Sequence, residues 1–240
     1  MPPPLPTITS LADIQRISHG VYGEFMPHQR ILQALEDVAQ RHPDRIALTG
    51  IDEADPSVSP RRWTYTGLVQ DIRRVANFFR RLSDDRPPRV ALLLPPMPEA
   101  HMALWGAETA GTACPINFQL DVQHISELLL AFDANILVAL GPAPDLDIDP
   151  KVSALGAACP TLRHVLRVQA GPGLSLAAGQ RDFLAEAMAE DGASLGFDEP
   201  DGCPAALFHT GGTTGAPKLA QHSHLNQLHA AWGAACMYGT

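Results

Sequence analysis

Two spacings of apolar residues alternate along the chain. Ile31, Leu32, Leu35, Val38 and Ala39 fall on one helical face. That pattern stops before His42-Pro43, because a residue preceding proline is biased out of the helical region. Upstream, Thr9-Ser10 is placed to cap a short helix bearing Leu11, Ile14 and Ile17. Ile46-Ala47-Leu48 reads as a strand, and the Asp, Pro and Ser-rich residues 52–60 as a surface loop. Trp63-Thr64-Tyr65 reads as a further short strand. Thr66 is then placed to cap a helix that buries Ile72, Val75, Phe79 and Leu82. Val90-Ala91-Leu92-Leu93-Leu94 is a continuous apolar run closed by Pro95-Pro96, as expected of a strand covered on both faces.

The same alternation continues. A helix over about 98–110 ends at Gly111, a natural stop. Ala113-Cys114-Pro115-Ile116 reads as a strand in which Pro115 marks either an edge or a strand end. Asp121 is placed to cap a helix with Ile125, Leu128, Leu129 and Phe132 inward. Ile136 to Leu140, His164 to Val168 and Ala205 to Phe208 complete the strands. Helices and strands in alternation predict an α/β fold, a mainly parallel sheet flanked by helices. Residues 170–204 are the least patterned, with only a short helix near Phe183 to Ala189. The expected organisation is an N-terminal α/β subdomain over 1–170, a linker or irregular region over 171–204, and the start of a second α/β subdomain over 205–240. No internal repeat is visible.

Composition narrows the partners. The chain has 240 residues, 45% of them hydrophobic, enough for a substantial core. Its formal net charge of −9 repels nucleic acid and anionic lipid surfaces, so neither is an expected partner. Any site for an anionic nucleotide must therefore work through local donors. Cys114, Cys159, Cys203 and Cys236 lie far apart, without a paired cysteine or a histidine at zinc-ligand spacing, and read as buried or free thiols in a reducing compartment. The start of the chain lacks the features of a signal peptide, and no apolar run reaches membrane-spanning length. A cytoplasmic protein is the expectation.

The chemistry is concentrated in His209-Thr210-Gly211-Gly212-Thr213-Thr214-Gly215-Ala216-Pro217-Lys218. A Gly/Thr-rich turn after a strand is ordinarily only a loop. Here three glycines allow close backbone approach, and successive N–H groups in such a turn form an anion-binding nest. Thr210, Thr213 and Thr214 add hydroxyls, which can also reach a magnesium ion held by phosphates. Lys218 adds a cation. The lysine follows proline and no Gly-Lys-Ser/Thr triplet occurs, so this is not the Walker pattern.

The segment resembles the phosphate-binding signature of the adenylate-forming superfamily, which commonly runs Thr-Ser-Gly-Thr-Thr-Gly-x-Pro-Lys-Gly. Gly211 stands where serine is frequent and Leu219 where glycine is frequent; the glycine core and the lysine are kept. Trp63-Thr64-Tyr65-Thr66-Gly67-Leu68 is similar to an early element of the same family. The run from Trp105-Gly106-Ala107 to Pro115-Ile116-Asn117 is similar to a second, and His222-Ser223-His224-Leu225-Asn226 to a third. Alone, each reads as core packing; their order extends the resemblance from about residue 30 to the end. Thr213-Thr214 and Asn117 match the CoA-ligase branch. His222 and His224 read as a cap or packing residues at a helix start, His209 as a neighbour of the nucleotide.

The resemblance implies ATP-dependent activation of a carboxylic acid, a fatty acid by preference, to an acyl-adenylate and then to acyl-CoA. It implies ATP, Mg2+ and coenzyme A as co-reactants. Thr210, Gly211, Gly212, Thr213, Thr214, Gly215 and Lys218 become nucleotide-binding residues, with Thr213 and Thr214 toward the metal. No catalytic residue is assigned. The family's later elements, including its C-terminal domain, are not found, so the chain reads as an N-terminal part, inactive alone and prone to self-association. The alternative is a non-catalytic nucleotide-binding or interaction module that reuses the loop.

Overall fold

The computed structural model describes residues 7–19, 27–51, 57–84, 86–155, 159–170, 174–210 and 218–238. Its centre is a seven-stranded sheet in the order β7-β6-β5-β3-β4-β8-β9. The strands are β3 (Arg89–Leu93), β4 (Thr112–Pro115), β5 (Ile136–Leu140), β6 (His164–Val168), β7 (Arg181–Asp182), β8 (Ala206–His209) and β9 (Leu219–His222). All neighbours run parallel except β8 and β9, which form an antiparallel hairpin. The sheet is thus mostly parallel and flanked by helices, as the apolar pattern predicts.

Alternate residues of the central strands feed two dry layers. Val90, Leu92, Ile136 and Val138 face a layer built with α3 (Tyr65–Leu82), α4 (Pro98–Ala110) and α7 (Phe183–Ala187). Ala91, Leu93, Leu137 and Ala139 face the opposite layer, built with α5 (Val122–Phe132) and α6 (Ile148–Leu155). Phe78, Phe79 and Phe183 are fully buried and mutually in ring contact, with Phe79 and Phe183 stacked at 5.8 Å. At Gly106 a Cβ would collide with Val75, so glycine is what lets α3 and α4 approach this closely.

Outside this sheet, α1 (Leu11–His19) buries no residue and α2 (Ile31–Arg41) packs on α3. β1 (Ile46–Gly50) and β2 (Arg61–Thr64) form a separate antiparallel pair. The cap of α3 is Thr64, whose hydroxyl accepts from Gly67 N at 3.1 Å; Thr66, the expected cap, lies one residue inside the helix. Asp121 caps α5 as expected, accepting from His124 N at 2.9 Å. Pro115 ends β4 and is not on an edge strand, since β4 lies between β3 and β8. Cys114, Cys159 and Cys203 are free thiols, and burial pushes the Cys114 thiol up to about 12. No helix of the described residues is long and apolar enough to cross a membrane.

Candidate functional site

In an open parallel sheet, ligands settle outside the carboxyl ends of the strands. β8 runs parallel to β4, and its carboxyl end delivers His209 and then Thr210. β9 returns from Lys218, with Ala206↔His222, Leu207↔Gln221, Phe208↔Ala220 and His209↔Leu219 in register. The Thr210 N–H donates to the Lys218 carbonyl at 3.0 Å, closing the hairpin just beyond the last registered pair. Thr210 and Lys218 are both exposed. Among the described residues the Lys218 ammonium has no carboxylate partner, so its charge is available to a ligand.

Gly211, Gly212, Thr213, Thr214 and Gly215 lie outside the described residues. Of the signature residues, the structure therefore places Thr210 and Lys218, and it brings these two together. No cluster of three His, Cys, Asp or Glu side chains suited to a metal occurs among the described residues. Two cavities open near the carboxyl ends of the strands. One of about 350 Å³ is lined by Pro95, Pro96, Leu140 and Leu146, and one of about 140 Å³ by Leu92, His101, Leu104 and Ile116. Neither includes Thr210 or Lys218.

The neighbours of the hairpin are polar in a specific way. His209, half-buried, accepts at Nε2 from the Asn117 N–H at 3.0 Å. Asn117 in turn accepts at Oδ1 from Gln119 N at 3.0 Å, which shapes the turn after β4. Phe208 meets the His222 ring edge-on, centroids 5.0 Å apart. His222 belongs to β9 and not to a helix start. His224 is the first residue of α8 (His224–Tyr238), and Ser223 caps that helix by exchanging hydrogen bonds with Asn226.

Behind the hairpin sits a buried polar group that the sequence pattern does not single out. Glu108, on the inner side of α4, accepts at Oε1 from Gln227 Nε2 of α8 at 2.7 Å, and its Oε2 is buried without a partner. Burial pushes its carboxyl up to about 7. His224 is also buried, and desolvation with the nearby Arg30 charge pushes its ring down to about 4. Two buried ionisable side chains thus pack at α8: His224 is neutral near pH 7, and Glu108 holds its proton well above the usual carboxylate range. In the small-residue run Gly106-Ala107-Glu108-Thr109-Ala110 at the end of α4, the one large acid is the available signal.

The sequence model of AMP-binding enzymes matches residues 35–239. The chain belongs to that family. Its similarity runs to the acyl-CoA synthetase and CoA ligase branch of the adenylate-forming superfamily. The marinolic acid–CoA ligase of Pseudoalteromonas sp. is 30% identical over 90% of this chain and 33% of its own length. The salicyl-AMP ligase/salicyl-S-ArCP synthetase of Mycobacterium tuberculosis is 32% identical over 79% of this chain and 32% of its own. Among solved structures, acetoacetyl-CoA synthetase from Streptomyces lividans superposes with a TM-score of 0.71 at 22% identity, covering 85% of this chain and 31% of that one. This last likeness concerns the fold. The chain spans about a third of the length of these curated relatives.

Proposed function

We propose that this chain is the ATP-polyphosphate-gripping part of an enzyme that converts a carboxylic acid, a fatty acid by preference, to its acyl-adenylate and then to acyl-CoA. The observation that carries the reading is the hairpin closed by Thr210 and Lys218 at the carboxyl end of β8, in a chain that belongs to the AMP-binding enzymes. In this reading the backbone N–H groups of Gly211, Gly212 and Gly215 and the hydroxyls of Thr210, Thr213 and Thr214 surround the β- and γ-phosphates. Lys218 neutralises part of their charge. Local donors of this kind let a protein with a net charge of −9 bind an anion.

ATP supplies the leaving group. A carboxylate oxygen bonds to the α-phosphorus as the bond to the β-phosphate bridge breaks, and pyrophosphate departs with its negative charge. A thiolate then adds to the acyl carbonyl, and AMP leaves. Thr213 and Thr214 are the residues whose hydroxyls would face a magnesium ion bound with the nucleotide, and that ion would supply further neutralisation of phosphate charge. This chain's own contribution is positioning and charge neutralisation, with no general base among its residues assigned. By itself the chain is expected to bind polyphosphate and not to turn over.

A second reading concerns the acceptor thiol. A relative of similar identity is named for a salicyl-S-ArCP product, so a protein-bound thiol stands beside CoA as an acceptor. The test is product analysis on the full reading frame, supplied with ATP, Mg2+ and short, medium, long and aromatic acids, with and without CoA. Acid-dependent AMP and acyl-CoA are expected. Acid-dependent pyrophosphate and acyl-adenylate without acyl-CoA would move the reading to a carrier-protein acceptor. ATP binding without pyrophosphate release with any acid would instead make this a non-catalytic nucleotide-binding module.

A further inference from the structure

Strand β4 donates its backbone N–H groups alternately to its two neighbours. Toward β3, the Ile116 N–H reaches the Leu92 carbonyl at 2.8 Å. Toward β8, the Ala113 N–H reaches the Ala205 carbonyl at 2.9 Å. The next donor on that side belongs to position 115, which is proline and has no N–H. The donor after it is Asn117, and it goes to the imidazole of His209 and not to a backbone carbonyl. A side chain of β8 thus restores the connection that Pro115 interrupts. Ala113↔Ala206 is the one registered pair between these strands among the described residues, and the ring contact adds a polar link where they end.

The next residue, Thr210, is bonded through its N–H to the Lys218 carbonyl. Consecutive residues therefore fasten the hairpin in two directions: His209 sideways to β4, Thr210 across to β9. We propose that His209 is a positioning residue for polyphosphate binding, acting through Thr210 and Lys218 by fixing them against the turn at Asn117. The proposal rests on the reading of this hairpin as the ATP-phosphate site. Because Nε2 accepts, the ring proton sits on Nδ1. A replacement must therefore offer an acceptor at the Nε2 position, which glutamine does and leucine does not.

The test uses the full reading frame as wild type, His209→Gln and His209→Leu. ATP binding is measured by calorimetry, KM for ATP and for the acid by pyrophosphate exchange, and protection of the Asn117 amide by hydrogen–deuterium exchange. His209→Leu is expected to weaken ATP binding about tenfold, the scale of one lost hydrogen bond. KM for the acid should stay within about twofold, and the Asn117 amide should exchange faster. His209→Gln should restore both amide protection and ATP affinity. Unchanged ATP affinity in His209→Leu overturns the proposal, as does a His209→Gln variant as weak as His209→Leu. A parallel loss in ATP and acid KM, with lowered thermal stability, would make the ring merely structural and also overturn it. A wild type that binds no ATP but keeps His209-dependent protection of Asn117 removes the proposed function, and this role with it, while leaving the geometry intact.

Discussion

The two sides of the sheet are held together differently. On one side β5 pairs with β3 over four registered positions and with β6 over five, and the residues of β5 are buried on both faces. On the other, β4 and β8 share a single registered pair, a proline interrupts the donor row, and an imidazole completes it. The first arrangement has redundant pairing and one buried polar residue, Arg167, ion-paired to Asp149 at 2.7 Å. The second has less registered pairing and a side-chain link, and it is the side that carries the candidate hairpin. The candidate site is placed where the ladder has the fewest registered pairs.

The contrast can be broken most severely from the dry side. Phe79→Ala, which opens a void against Phe78 and Phe183, is expected to cost about 3–5 kcal/mol in urea unfolding. A loss below about 1 kcal/mol would mean that this layer is not the main support.

The next effect comes from the pair behind the hairpin. The Glu108 carboxyl is raised from 4.5 to about 7, so the folded protein holds a proton that the unfolded chain has released. Its contribution is greatest below about pH 4.5 and is lost as pH rises to about 7, in total about 3 kcal/mol. His224 is lowered from 6.5 to about 4, so its contribution is full above 6.5 and lost as pH falls to about 4, by a similar amount of about 3 kcal/mol. The two slopes oppose each other over most of that range. Stability of the wild type should therefore vary little between pH 4.5 and 6.5 on their account. Glu108→Gln should leave a stability that climbs with pH, and His224→Asn one that declines. Denaturation midpoints across pH for the three proteins check this; identical profiles would contradict it.

Smaller again is the loss at the hairpin itself. Lys218→Ala is expected to weaken ATP binding by about 1.5–3 kcal/mol, the range for a hydrogen bond to a charged group, with unfolding stability within about 0.5 kcal/mol of wild type. Calorimetry and urea titration of one preparation measure both. The smallest effect expected is at a helix cap. Thr64→Ala removes the acceptor for Gly67 N and should cost about 1 kcal/mol of stability without touching ATP affinity.

The same division decides which elements are legible in the amino-acid sequence. Val90 to Leu93 and Ile136 to Leu140 announce themselves because a strand buried on both faces has to be apolar throughout. The glycines, threonines and lysine of residues 210–218 are equally legible, since phosphate-binding chemistry needs those residue types close together. β9 is not. Leu219-Ala220-Gln221-His222 has no β-branched residue and becomes a strand only by pairing with β8. β7 is two residues long and exists only as a ladder on β6. α6 contains Pro150, which argues against a helix until it is placed in the first turn, where no N–H is required. The bond from Asn117 to His209 spans 92 positions and needs the strand order to be known. Its one local trace is Pro115, a donor missing from a strand.

The most direct measurement is carboxylate-dependent exchange of labelled pyrophosphate into ATP by the full reading frame, comparing wild type with Lys218→Ala. Exchange is expected with at least one class of acid, together with a fall of tenfold or more, about 1.4 kcal/mol or greater, in the variant. Exchange with no acid, or exchange indifferent to Lys218, would contradict the assignment of the β8–β9 hairpin to ATP.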